Sequence, residues 1–148
     1  MPKKPKPSFF RRHSLSIVSI ALLVLWIVLY WRGDEHTHLG AFFGNAIADW
    51  TGVVVTVLGT KYFYEKGSAE SRQPAREPKA RFRRVLQDHS LILFLLLTGA
   101  AWVAFYSRVD AEHKWGSVVG NIVSEWTQVI GLVLLTKRLT EQHSKESK

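Results

Sequence analysis

Residues 13–68 match residues 89–144 of the same chain without a gap, at an offset of 76, and 19 of the 56 aligned positions are identical. His13-Ser14-Leu15 returns as His89-Ser90-Leu91, and Trp26, Tyr30, Arg32 and Asp34 return as Trp102, Tyr106, Arg108 and Asp110. Further on, Gly40, Gly44, Asn45, Trp50, Thr51, Thr60 and Lys61 return as Gly116, Gly120, Asn121, Trp126, Thr127, Thr136 and Lys137. A gapless self-match that keeps Trp, Asn and Gly in place implies two copies of one structural unit. Whatever one copy folds into, the other should fold into as well.

Each copy carries two long apolar segments, so the unit reads as a membrane hairpin. Residues 15–31 and 91–107 hold no charge and are rich in Leu, Ile, Val and Ala. Each run is about long enough for a short membrane helix, which needs roughly 17 to 25 residues. The second member of each hairpin, about 39–64 and 115–136, is longer and carries one intramembrane acid, Asp49 or Glu125. A mean hydropathy of -0.01 conceals this segregation, because strongly basic segments offset the apolar runs. The expected fold is an all-α membrane protein with four transmembrane helices, arranged as two tandem helical hairpins. Its parts are a basic tail (1–14), a first hairpin (15–64), a basic linker (65–89), a second hairpin (90–138) and a second tail (139–148).

A signal peptide could explain a basic stretch followed by an apolar run. However, this run ends in Leu29-Tyr30-Trp31-Arg32 without a small-x-small cleavage site, and its repeat partner lies at mid-chain. A membrane span is therefore the better reading.

All but three of the 20 Lys and Arg residues fall in the tails, the linker or the adjoining helix ends; the exceptions, Arg32, Arg108 and Lys114, lie by the hairpin loops. The positive-inside rule then places both termini and the linker in the cytoplasm. The net charge of +8 is thus read as a topology signal and as a contact with the anionic headgroups of the lipid bilayer. No nucleic-acid partner is expected, because no reading motif accompanies the basic residues. In the linker, Phe82, Val85 and Leu86 fall at helical spacing among Arg81, Arg83 and Arg84, which suits a short amphipathic helix on the inner surface. Gly67-Ser68-Ala69-Glu70-Ser71, before Pro74 and Pro78, reads as a flexible connector.

With no cysteine, the chain has no disulfide or thiol chemistry. It shows no phosphate-binding loop, catalytic triad or zinc-protease helix, so neither enzymatic activity nor a cofactor is expected. The polar residues to weigh lie on the second helix of each hairpin. Asn45, Asp49, Gly52, Thr56 and Thr60 share one narrow helical face, as do Asn121, Glu125, Gln128, Leu132 and Thr136. Polar groups facing lipid are costly, so this stripe is expected to face the bundle interior. Alongside it run Gly40, Gly44 and Ala48, matched by Gly116, Gly120 and Ser124, small-residue ridges suited to close helix packing.

No Lys or Arg lies at the depth of Asp49 or Glu125, so each acid should be protonated, hydrogen-bonded or bound to a cation. Two readings follow. One is a small proton or cation transporter or channel-like element that uses these acids. The other is a non-catalytic scaffold or accessory subunit that forms a homo-oligomer or holds a partner membrane protein. In the outer loops, His36, His38, Asp110 and His113 are metal-ligand types, although the repeat does not preserve the histidine positions. The matched Trp26, Tyr30, Trp102 and Tyr106 suit interfacial anchoring or packing.

The stretch Trp50-Thr51-(x)8-Thr60-Lys61-(x)5-Gly67-Ser68-Ala69-Glu70-Ser71-Arg72 resembles the end of a hairpin in a family of small, uncharacterised bacterial multi-span membrane proteins. Ser124-Glu125-Trp126-Thr127-Gln128 and Ser144-Lys145-Glu146-Ser147-Lys148 repeat the pattern without its Gly. The resemblance implies a bacterial inner-membrane location and carries no assigned activity.

Overall fold

The computed structural model describes residues 9–75 and 78–139; Lys3, Lys4, Lys6, Arg76 and the 144–148 run lie outside the described residues. Five helices follow in order: α1 (Phe9–Arg32), α2 (His38–Tyr62), α3 (Arg81–Asp88), α4 (Ser90–Tyr106) and α5 (Lys114–Leu135). Among the described residues the fold is all-helical, apart from an isolated antiparallel bridge between Glu65 and His89.

Among the described residues, three helices, α1, α2 and α5, are long and apolar enough to cross a membrane. Helix α4 is uncharged but has only 17 residues. The bundle keeps few of its apolar side chains inside. Val18, Val24, Leu96 and Leu97, for example, are all exposed. Such surface would be unfavourable in water over so large an area, and it marks the chain as a membrane protein.

Helices pack in the lateral order α1–α2–α5–α4. The central pair α2 and α5 contributes Ile47, Ala48, Val118, Ile122 and Trp126 to one core cluster, which Tyr30 of α1 closes. A second cluster at the opposite end joins Leu91 and Leu95 of α4 to Val133 of α5. Phe63 and Phe94 stack beside it with ring centroids 4.5 Å apart.

The two hairpin loops are built alike. The Asp34 carboxylate accepts from His36 N at 3.0 Å, and the Asp110 carboxylate accepts from Glu112 N at 3.0 Å. Gly40 and Gly116 then pass so close to the loop that an added Cβ would lie 2.0 Å from the carbonyl oxygen of Asp34 or Asp110. Only glycine fits there. Thr37 caps α2, its hydroxyl accepting from Gly40 N at 3.1 Å.

The small-residue ridges serve each hairpin more than the central pair. Gly44 lies against the ring of Tyr30 and Gly120 against the ring of Tyr106, each with a Cβ-to-ring approach of 3.1 Å. Ala48 is buried in the core, Ser124 is exposed, and it is Gly52 that lets α2 approach Glu125 and Val129 of α5. Tyr30 is buried, donating its hydroxyl to the Lys114 carbonyl at 2.6 Å, and so ties α1 to α5. Trp26 stacks on Phe43 within the first hairpin, and Trp102 packs beside Trp126 within the second.

Linker residues 81–88 do form a short helix, with Phe82, Val85 and Leu86 all exposed. The segment before it is not a loose connector. Tyr64 to Ser71 fold back under α4 and α5, and Glu65, Ser68 and Ser71 are buried. Gly67 allows this turn, with φ at 92°.

Candidate functional site

The half of the polar stripe nearer the hairpin loops assembles around a shared hollow. Asn45 and Asp49 from α2 meet Asn121, Ser124 and Glu125 from α5, and together they line a cavity of about 190 Å³. Asn121 Nδ2 donates to Asn45 Oδ1 at 2.7 Å across the two helices. Gln128 Nε2 donates to Glu125 Oε1 at 3.0 Å, orienting that carboxylate. Asp49 and Glu125 each lie eleven residues into their helices, roughly 16 Å from the N-terminal ends at about 1.5 Å per residue.

Toward the hairpin loops, Asn45 and Asn121 also line a wider vestibule of about 260 Å³. Glu35, His36, Glu112, His113 and Lys114 surround it. The two asparagines therefore border both the vestibule and the hollow that holds the acids. Interhelical hydrogen bonds in membranes are worth on average about 0.6 kcal/mol, so this pair is weak enough to open thermally. Toward the other end the space between the helices narrows to about 30 Å³, lined mainly by Val55, Leu91, Leu95, Val129, Leu132 and Val133, with Thr56, Thr60 and Glu70.

The stripe does not face a sealed interior. Asn45, Asp49, Ser124 and Gln128 are exposed on the single chain, because α1 and α4 flank the central pair and leave this face uncovered. The periodicity identified the face correctly, but only the lateral order of helices decides what covers it.

The half of the stripe away from the hairpin loops has other partners. Thr60 Oγ1 donates to its own helix at Thr56 O, 2.6 Å away, while Thr136 Oγ1 lies 2.9 Å from Ser68 Oγ. No metal centre forms from His36, His38, Asp110 and His113. Among the described residues, no three His, Asp or Glu side chains come close enough to hold an ion. The physical reason is that the Asp110 carboxylate is used in its loop turn and the His36 side chain is 87% exposed.

A second polar cluster lies at the end of the bundle away from the hairpin loops and was not singled out by spacing. Glu65 is 0% exposed, and its Oε1 accepts from Lys137 Nζ at 2.6 Å and lies 2.8 Å from His89 Nδ1. Its Oε2 accepts from Ile92 N at 3.2 Å, one of the donors that the start of α4 leaves unpaired. Glu65 thus joins the end of α2 to the start of α4 and the end of α5, and satisfies a helix N-terminus with a negative charge. One signal in the sequence could have found it: His13/His89, Thr60/Thr136, Lys61/Lys137, Glu65/Glu141 and Ser68/Ser144 are all identities of the repeat.

Compared with protein-family models, curated proteins and solved structures, the chain matches none. The functional reading therefore rests on the geometry. Two carboxylates and two amides around one small hollow, open on the uncovered face of the chain, can hold a proton or a monovalent cation with oxygen donors.

Proposed function

We propose that the chain is a four-span inner-membrane protein of two tandem hairpins, related by the internal repeat, with both termini and the linker cytoplasmic. In this reading α4 is the third span. Its uncharged 17 residues extend about 25 Å, short of a 30 Å hydrocarbon core by an amount the bilayer can absorb by local thinning. The distribution of Lys and Arg supports the orientation.

We further propose that Asp49 and Glu125 bind and pass a proton or monovalent cation. The observation that carries this reading is that both acids line the same 190 Å³ hollow, beyond an asparagine pair that borders the outer vestibule. A charged carboxylate at the bilayer centre costs about 3 kcal/mol on insertion scales, so two such groups require protons, a cation or water. The test is proton and cation flux into liposomes holding the purified protein, compared with an Asp49→Asn/Glu125→Gln variant. Flux should be lost in a folded double variant. Flux no higher than in empty liposomes, across several ions and pH gradients, would rule out transport by this protein alone.

The uncovered polar face favours a second reading, a membrane scaffold or accessory subunit. There, Asn45, Asp49, Ser124 and Gln128 would meet a second copy or a partner span, as polar groups do between membrane helices. The basic, amphipathic α3 would rest on anionic headgroups. Under this reading the acid variant loses association in bilayers, while wild-type liposomes show no flux.

A further inference from the structure

A cavity of about 870 Å³ opens at the end of the bundle away from the hairpin loops, and neither the acid pair nor the Glu65 cluster accounts for it. The start of α1, the end of α2 and the linker form its wall, which carries Arg12, His13, Lys61 and Arg72. Glu70 stands on the same wall, outnumbered by the three cations Arg12, Lys61 and Arg72. The wall therefore keeps an excess of positive charge even without a proton on His13.

One of these cations is held in place. Lys61 Nζ lies 3.0 Å from His13 Nδ1 and 4.9 Å from the centroid of the Tyr62 ring. An ammonium can only donate, so the imidazole nitrogen is the acceptor. That contact uses one of the three N–H groups of Lys61 and sets the other two beside the cavity. Arg12 and Arg72 add planar forks of donors, the geometry that matches the oxygens of a phosphate.

The cavity is not polar throughout. Leu15 and Val57 line it beside the cations. From there apolar surface continues along α1 into the span: Leu15 is 66% exposed, and Val18, about one turn further on, is exposed as well. A ligand that uses both parts has an anionic head and an apolar chain. A soluble anion gains nothing from Leu15 and Val57, and a zwitterionic headgroup brings its own ammonium against the same cations.

We propose that this cavity binds the phosphate of an anionic phospholipid through Arg12, Lys61 and Arg72, with an acyl chain along Leu15 and Val18. The site rests on the reading that the helices span a bilayer. It needs α1, α2 and the linker at once, so a bound lipid ties the linker to the first hairpin.

The test titrates the purified full-length protein in detergent with dioleoyl phosphatidylglycerol, dioleoyl phosphatidylcholine or inorganic phosphate alone. Native mass spectrometry and the midpoint of thermal unfolding read the binding. Phosphatidylglycerol should be retained in preference to phosphatidylcholine, and inorganic phosphate should not compete with it. Lys61→Gln/Arg72→Gln should weaken phosphatidylglycerol binding by at least about tenfold, because two charge-assisted contacts are lost. Arg81→Gln/Arg83→Gln removes the same charge from α3 and should leave binding close to that of the wild type. Equal losses in the two variants would overturn the site in favour of diffuse attraction between basic surface and anionic lipid. Competition by inorganic phosphate would overturn the lipid as ligand and point to a soluble phosphate. Should Lys61→Gln/Arg72→Gln fail to fold, Arg72→Gln alone, at an exposed linker position, decides by the same comparison. Flotation with vesicles separates the two levels of failure. Protein that does not float would sink the membrane reading and the site together, whereas protein that floats without lipid preference would sink the site alone.

Discussion

At the scale of single residues, Glu65 shows how a side chain with no distinctive spacing becomes a structural hub. Its charge is wholly buried and held by Lys137, His89 and Ile92 N. Removing one partner of such a buried pair strands the other, whereas a neutral isostere retains part of the hydrogen bonding. Lys137→Met should therefore destabilise by roughly 2–3 kcal/mol, and Glu65→Gln by only about 1 kcal/mol. Denaturation in mixed micelles gives both values, and an inverted order would show that the charge of Glu65 is not the stabilising element. None of this was visible in the linker read by itself, where Gly67-Ser68-Ala69-Glu70-Ser71 suggests flexibility. Burial of Glu65 depends on two helices that start or end far away in the chain, and local composition carries no trace of them.

Among elements, the helices themselves were the most legible part. Spans expected near 39–64 and 115–136 are found as His38–Tyr62 and Lys114–Leu135, because an unbroken apolar run needs a helix to satisfy its own backbone groups. The use of the glycines was less legible. Ridges at four-residue spacing suggest helix–helix packing, yet Gly40 and Gly116 are required by loop carbonyls, and Gly44 and Gly120 by tyrosine rings. Gly40→Ala should accordingly unfold the first hairpin loop, with a loss above roughly 3 kcal/mol, since a backbone oxygen cannot move aside as a side chain can. Gly131 has open space around its Cβ direction, and Gly131→Ala should be neutral or stabilising by up to about 1 kcal/mol. Comparing the melting temperatures of the two variants in detergent checks both. A tolerated Gly40→Ala would mean that the loop has freedom the structure does not display.

For the whole molecule, the question is what meets the uncovered polar face in the bilayer. If the vestibule and hollow are hydrated from outside, Asn45→Cys should react with a membrane-impermeant maleimide added to the outer face of intact cells or vesicles. Val24→Cys, exposed on the lipid side of α1, should not react, because a thiol needs water to ionise. Equal silence at both positions would show that Asn45 is covered by lipid or protein. The amino-acid sequence by itself determined the helices, the segregation of charge and the polar face with its two acids, because periodicity and solvation act locally along a helix. Only the tertiary structure decided that Asp49 and Glu125 share one hollow, that Thr60 and Thr136 serve other contacts, and that Glu65 closes the first hairpin onto the second. Those outcomes follow from the lateral order of the helices, which is set by the packing of side chains distant in the chain.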